Sequence, residues 1–557
     1  MPKAALVFPK LYRLLSVVGA PEILGGQDKE GCELVRKFGS IVSLTGALAL
    51  VSSASGLATS LVQVSAPPPS PLVACAAKDA GQTGRNFLDG EEEPQVAVSG
   101  SKMVAMYHQD RWSNGGAHGI GIGVSSDGGT TWTNSVLADD MCVPGTPSSL
   151  SFYQRSSDPW VSFGPDGIAY ASALSFDNID NKNAVAVARS TDGGATWDHI
   201  QPIEGSVFTT SQFSTDKNAT TADPTKTKTA YTVWDTLFGP TDQPDDNPHA
   251  QAYTGPAYFS KTTDGGQTWS PAKIIVDTAN RQQTIGNIIV VDPRNGMLYD
   301  FTDLIVSPNT PFRGTFSNSQ LAFVKSTDGG STWSAPHIVG PFNSLGVIDP
   351  NTGQRLRVGD GLEEVAIDSS GKLYVVYESS TNFNKNINQS SGAWDNEILL
   401  TTSSNGGTTW TGPSVVHALT SGLPTYTPTV AVNGGTVAVS YYDNRHLTAG
   451  QTANLPTDYW VSFSTDGGVT FGNEHHIAGP FDQLTAPFAR GFFLGDYQGL
   501  QPSATGFQAV FVATTCNALD SAGQTWPTGG ACAPASSNKT ATSNTNPTDV
   551  FTAALTP

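Results

Sequence analysis

One eight-residue pattern, Ser/Thr-x-Asp-x-Gly-x-Thr-Trp, constrains this chain more than any other feature, because it recurs six times in 557 residues. The copies begin at Ser125, Ser190, Thr262, Ser326, Ser403 and Ser464. Asn405 replaces the aspartate in the fifth copy and Phe471 the tryptophan in the sixth. Successive starts lie 65, 72, 64, 77 and 61 residues apart. A period of that size means repeated supersecondary units, none able to bury its apolar face alone, and it suits one four-stranded sheet with its loops.

The runs between the copies repeat in the same order. A hairpin comes first, as in Glu93-Pro-Gln-Val-Ala-Val followed by Met103-Val-Ala-Met-Tyr-His; then come a third strand, the pattern itself and a short fourth strand. The first strand of each hairpin is almost wholly apolar, as expected of a strand buried on both faces. First strands begin near Glu93, Asp158, Asp216, Gly286, Leu362, Thr427 and Asp496, which makes seven. The seventh unit has three strand-like runs and no copy of the pattern. An N-terminal strand near Arg85-Asn86-Phe87 would complete it and remove the exposed edge. The sequence therefore predicts an all-β fold: a β-propeller of seven four-stranded antiparallel blades, the repeated pattern turning from third to fourth strand. Six blades with a terminal extension is the alternative.

Residues 1–58 read as an export signal region. Arg36 and Lys37 precede an apolar run at 41–51, and small residues follow with cleavage expected near Ala54 or Ala58. The run is too short to span a bilayer. Residues 59–80, with four prolines between 67 and 71, read as a Pro-rich linker, and 81–557 as one propeller domain. A secreted, extracellular or periplasmic monomer is expected. Four cysteines lie beyond the signal, Cys75, Cys142, Cys516 and Cys532, and an even count in an exported chain predicts two disulfides, with Cys516–Cys532 the local pair. The formal net charge of -19 excludes nucleic acid and anionic membrane as natural partners.

The repeated pattern is structural chemistry. Its aspartate can accept backbone N–H groups within its own turn, its glycine supplies positive φ, and its tryptophan wedges between strands. Chemistry is expected on the other face, where first strands start and second strands end. There Asp496, Glu93, Asp158 and Asp216 form an acidic arc, and the second strands add Asp110, Asp177, Asp235, Asp303, Glu378 and Asp443. Arg111, Arg445, Arg155 and Arg490 supply opposite charge. Crowded carboxylates raise one another's pKa, which keeps a general acid protonated beside an ionised partner. They could equally hold Ca²⁺ through oxygen, or each could cap the start of a strand. Tyr497, beside Asp496, reads as a nucleophile, a sugar-stacking platform, or a packed ring bonded across the axis.

The six copies resemble the Asp-box (BNR) repeat of the sialidases and their relatives, over nearly everything from about residue 85 onward. The resemblance implies a glycan-acting propeller. Sialidases clamp a carboxylate with three arginines, use a Tyr–Glu pair as nucleophile and an aspartate on a loop as acid/base. Where the first arginine would stand, this chain has Glu93-Pro94-Gln95, a charge inversion. Arg111 matches a second arginine, the loop from Trp112 to His118 lacks the aspartate, and Tyr497 with Glu364 could stand in for the nucleophile pair.

The expectation is a secreted glycoside hydrolase with Glu93, Asp110, Asp158, Asp496 and Tyr497 as catalytic candidates. Arg111, Arg445, Asp443 and Glu364 would contact a glycan substrate, with no catalytic metal and no cofactor required, though a structural Ca²⁺ is possible. The alternative is a non-catalytic propeller that binds polysaccharide or protein around that cation.

Overall fold

The computed structural model describes residues 61–557 except 181, 211–212, 239–253, 280–281, 307–317, 381–394, 420–421 and 516–546. The export region expected at 1–58 and the expected Cys516–Cys532 pair lie outside the described residues. Among the described residues the fold is nearly all β, and no helix is long and apolar enough to cross a membrane.

Seven antiparallel units of four strands can be traced. Unit one comprises Glu92–Ser99, Lys102–Trp112, Ala117–Ser125 and Thr133–Val136. Unit two comprises Arg155–Phe163, Ala169–Phe176, Asn183–Ser190 and Asp198–Pro202. Unit three is Phe213–Ala222, Ala230–Phe238, Ala257–Thr262 and Lys273–Val276. Unit four is Gln282–Val291, Leu298–Val306, Asn318–Ser326 and His337–Pro341. In unit five Glu363–Ile367, Leu373–Ser380, Asn396–Ser403 and Ser414–Val415 pair in turn. In unit six the strands are Thr425–Asn433, Thr436–Asp443, Pro456–Ser464 and Gly472–Asp482. Unit seven takes Gly499–Ser503, Gly506–Thr514 and Thr548–Leu555 and, out of chain order, Val62–Gln63. The first strand of each unit packs on the first strand of the next, and the seventh packs on the first.

The strand that completes unit seven differs from the one expected. Val62 pairs with Thr552 and Gln63 with Phe551, inside the stretch read as a linker. Gln63 Nε2 and Ser65 Oγ both donate to Asp549 Oδ1, at 2.8 and 2.9 Å, and fix the register. Asn86–Phe87 pairs instead with Trp112 and Arg111 of unit one. The intervening segment is tied to unit one by a Cys75–Cys142 disulfide, which leaves Val62–Gln63 free to cover the open edge.

Period-two alternation builds the core between units. Val104 and Met106 face Val161, Ala171 and Ala173 of unit two, while Ala105 and Tyr107 face Val510 and Phe551 of unit seven. Each such aliphatic or aromatic side chain contributes about 1.5–3 kcal/mol on burial.

The repeated pattern forms the turn between third and fourth strands in units one to six. In unit one Asp127 Oδ1 accepts from Ser125 Oγ at 2.8 Å and from the Thr131 amide at 2.9 Å, and Thr131 Oγ1 donates to Asp127 Oδ2 at 2.6 Å. The Trp132 indole donates to the Gly129 carbonyl at 3.0 Å. The ring packs on the preceding unit: Trp333 meets Phe259, and Trp410 meets Phe301 and Phe323. Glycine is required in the same turn, since a β-carbon at Gly330 would stand 2.3 Å from the Phe259 ring. Asn405 preserves the turn, accepting from the Thr409 amide at 2.9 Å and donating to its hydroxyl at 2.7 Å.

Candidate active site

A β-bulge near the start of five first strands builds the site. At each bulge one residue takes positive φ: Glu93 (52°), Asp158 (50°), Lys217 (43°), Gly286 (76°) and Thr427 (49°). The bulge leaves an amide unpaired in the ladder, and a side chain from a neighbouring unit accepts from four of them. His108 Nε2 takes the Asp158 amide at 3.2 Å, Asp158 Oδ2 the Lys217 amide at 3.2 Å, Asp235 Oδ2 the Gly286 amide at 3.1 Å and Glu378 Oε1 the Thr427 amide at 2.7 Å. Strand capping is therefore the work of Asp235 and Glu378.

The bulges also correct the expected arc. Its third member is Lys217, not Asp216, so the column carries a cation among its carboxylates. The Lys217 ammonium lies 2.8 Å from Asp496 Oδ2, 3.3 Å from Asp158 Oδ2 and 3.5 Å from Glu93 Oε1. Arg357 grips the outer side of Asp496, with Nε donating to Oδ1 at 3.0 Å and a second guanidinium nitrogen donating to Oδ2. The Asp496 amide donates to Glu93 Oε1 at 3.3 Å, and His108 Nε2 stands 3.2 Å from Glu93 Oε2. A structural Ca²⁺ does not fit here, because the ammonium already stands where these carboxylates converge.

Charge is distributed unequally over the three acids. Burial pushes Glu93 up to about 8, against the pull of Lys217, so it is protonated at neutral pH. Burial would raise Asp158 too, but the Lys217 ammonium and the Ser157 hydroxyl outweigh it and hold that carboxyl at about 2. Asp496 is held well below the usual carboxylate range by Arg357 and Lys217, again against burial. Burial keeps the His108 imidazole neutral, and the nearby Arg111 reinforces this. One protonated carboxyl thus sits beside two ionised ones, with two cations balancing the pair. The cluster is deep: side-chain exposure is 1% for Glu93, 6% for Asp158 and Asp496, and 22% for Arg357.

Arg357 comes from no unit. It ends Arg355–Arg357, a strand in the connection between units four and five that runs parallel to Phe492–Phe493 from the connection between units six and seven. The Phe493 ring carries Arg357 at 4.2 Å on one side and Arg111 at 4.8 Å. A β-carbon at Gly359 would fall 1.9 Å from the Asp496 carbonyl oxygen, so only glycine lets this connection approach the site.

The remaining sequence candidates divide. Glu364 belongs to the same face: burial raises it to about 8, and it bears electrostatically on Tyr497. Tyr497 is a packed ring, not a nucleophile, because its hydroxyl donates to the Pro159 carbonyl at 3.2 Å and burial beside Glu93 raises its pKa well above the phenol range. Its ring meets Trp160 at a tilt of 57° with centroids 5.4 Å apart, and the Lys217 ammonium lies 5.6 Å from its ring centre. Arg111 is enclosed; its Nε meets Glu92 Oε2 at 3.1 Å and it donates to the Gly116 carbonyl at 3.2 Å, so it does not present itself to a substrate. Asp110 is occupied elsewhere too, accepting from Ser70 Oγ at 2.8 Å and the Asp89 amide at 2.9 Å while facing His118. Arg445 and Asp443 pair with each other in unit six, where Arg445 also meets Glu474 at 2.6 Å and lies over Trp460 at 3.5 Å. Arg155 is spent pinning Gln82, Thr83 and Asn114. The one metal-like grouping found among the described residues, Glu93, His108 and Asp158, is the cluster that Lys217 already enters. A groove of about 390 Å³ at Trp410, among the repeated turns of units five and six, contains none of these carboxylates.

Lys217, Arg357 and His108 escaped the sequence reading. Lys217 was within reach: Glu93-Pro94, Asp158-Pro159, Lys217-Asn218, Gly286-Asn287 and Thr427-Pro428 align residue for residue. Arg357 lies in a non-repeating connection and leaves no periodic signal.

No protein-family model matches the chain, and no curated protein matches it. Among solved structures it is similar to an α-L-arabinanase of Penicillium chrysogenum, with 14% identity, 69% of this chain and 93% of that chain covered, and a TM-score of 0.41. It is similar to an α-L-arabinofuranosidase of Fusarium graminearum at 15% identity, 69% and 93% coverage and a TM-score of 0.42. A sialidase of Trypanosoma rangeli is similar at 13% identity, 70% and 58% coverage and a TM-score of 0.38.

Proposed function

We propose that this chain is an exported, monomeric seven-bladed propeller that hydrolyses glycosidic bonds, with Glu93 as proton donor and Asp158 as the ionised partner. One observation carries the reading: within a single buried cluster Glu93 and Asp158 share the Lys217 ammonium, while burial raises the pKa of the first and that ammonium lowers the second. Glycoside hydrolysis needs this division of labour, one carboxylic acid for the leaving oxygen and one carboxylate as base or nucleophile. Arg357 fixes Asp496, and Asp496 in turn holds the Lys217 ammonium that sets that division. The seven linked first strands support a closed ring, the six repeated turns support Asp-box blades, and the Cys75–Cys142 disulfide supports an oxidising compartment.

The depth of the cluster favours a second reading, a glycan- or protein-binding propeller whose central ions are structural. A panel of aryl glycosides, arabinofuranosides and sialosides included, separates the two. Hydrolysis of one of them is expected, falling about 10²–10⁴-fold in Glu93→Gln. An alkaline limb near pH 8 should disappear in the variant. Silence across the panel by folded protein favours the binding reading.

A further inference from the structure

Units three to five carry a second set of buried acids, and it contains no cation. Asp235 closes the second strand of unit three, Asp300 and Asp303 lie on the second strand of unit four, and Glu363 opens the first strand of unit five. Each is at most 1% exposed. Among the described residues neither oxygen of Asp300 has a hydrogen-bond partner, Asp303 Oδ1 and Asn287 Oδ1 have none, and the Glu363 carboxyl meets only its own backbone amide. No lysine or arginine among the described residues is named among the leading charges acting on any of the four.

Geometry links Glu363 to the Gly286–Asn287 turn of unit four, and Asp303 to the start of unit five at Gly361. Asn287 gives its amide nitrogen to Asp235 Oδ1, which turns its carbonyl oxygen free, and the adjacent Gly286 amide holds Asp235 Oδ2 at 3.1 Å. Where other units place a side chain in the column, Gly286 has none; a β-carbon there would stand 3.9 Å from Glu363 Oε2. Gly361 leaves similar room, its absent β-carbon falling 3.5 Å from Asp303 Oδ2. Asp303 is the strongest of the charges acting on Glu363, followed by Asp300 and Asp235. Buried carboxylates with empty lone pairs are costly unless something positive meets them.

We propose that this region binds a divalent cation of the Ca²⁺ class, ligated by Glu363, Asp303 and Asn287 Oδ1, with Asp300 and Asp235 supplying further negative charge. Every free donor is a hard oxygen, and Ca²⁺ accepts about six to eight of them in flexible geometry, water and backbone carbonyls completing the set. This site is separate from the Glu93 cluster and stands whether or not that cluster is catalytic. A cation here would join units three, four and five through side chains that otherwise repel.

The test is thermal unfolding of the full chain after exhaustive chelation, with Ca²⁺ or Mg²⁺ then added alone. Wild-type protein should melt several degrees higher in millimolar Ca²⁺, with a saturating dose response and a smaller effect of Mg²⁺. Glu363→Gln should lose the response and, metal-free, melt no lower than metal-free wild type, because a neutral amide replaces an uncompensated acid. Asp303→Asn should behave alike and guards against a local packing fault in the first variant. No shift with either ion, or a Ca²⁺ shift retained in both variants, overturns the proposal.

Discussion

The two acidic regions around the first strands, one at units seven, one and two, the other at units three to five, solve the same problem differently. In the first, Lys217 and Arg357 reach in and set Asp158 and Asp496 ionised while Glu93 keeps its proton. In the second, Glu363 and Asp300 face no basic side chain among the described residues, and all four acids are raised far above the carboxylate range. A shared column position accounts for much of the contrast: unit three places Lys217 there and unit four places Gly286. Similar backbone bulges thus support different electrostatic states, with Lys217 at the shared position and Arg357 from a connection supplying the cations of the first region.

The largest expected effect breaks the first region. Lys217→Met should cost about 3–5 kcal/mol in chemical denaturation, since it strands Asp158 and Asp496 without their ammonium. Unchanged stability would mean that these charges are hydrated and the cluster is open to solvent. The next test compares pH slopes. Asp303 is raised by burial to about 8. Between about pH 4 and pH 8 the unfolded chain has released a proton that the folded chain retains, so its contribution falls as pH rises, on the order of a few kcal/mol in all. Asp158, held at about 2, runs the other way: its contribution is present above about pH 4 and is lost as pH falls towards 2. Melting scans should therefore show a flatter slope above pH 4 in Asp303→Asn, and a flatter slope below it in Asp158→Asn. Equal slopes in both variants would erase the distinction.

The smallest effect serves as a control outside both regions. Asp127 is lowered to about 2 by the Thr131 hydroxyl and amide and by Ser125. Its stabilisation is lost as pH falls from about 4 towards 2, and Asp127→Asn should remove only that acid limb. Unit five already makes this replacement with Asn405 and keeps the turn, so a large change at neutral pH would contradict the structural role of the pattern.

How much of this was readable beforehand follows from where periodicity reaches. Six similar turns and seven apolar hairpins repeat, and repetition exposes both strand order and the placement of Glu93, Asp158 and Asp496 near one another. Arg357 and Phe493 sit in connections that occur once, so nothing in the chain's own pattern marks them. The acidic arc read along the strand starts includes Asp216, whereas register with Asn218 points to Lys217. Asp110 lies near the end of a second strand as the pattern requires, yet its partner Ser70 comes from a segment outside the repeat.

The pairing of Val62 with Thr552 has a consequence for the life of the molecule. During synthesis the segment around Val62 emerges long before the strand it must join, and loop closure over such a span is entropically slow compared with pairing inside a unit. Six units can assemble their own sheets early, while the seventh waits for the final stretch of chain. The sheet of unit seven is thus completed by segments 486 residues apart, joined where Gln63 meets Asp549.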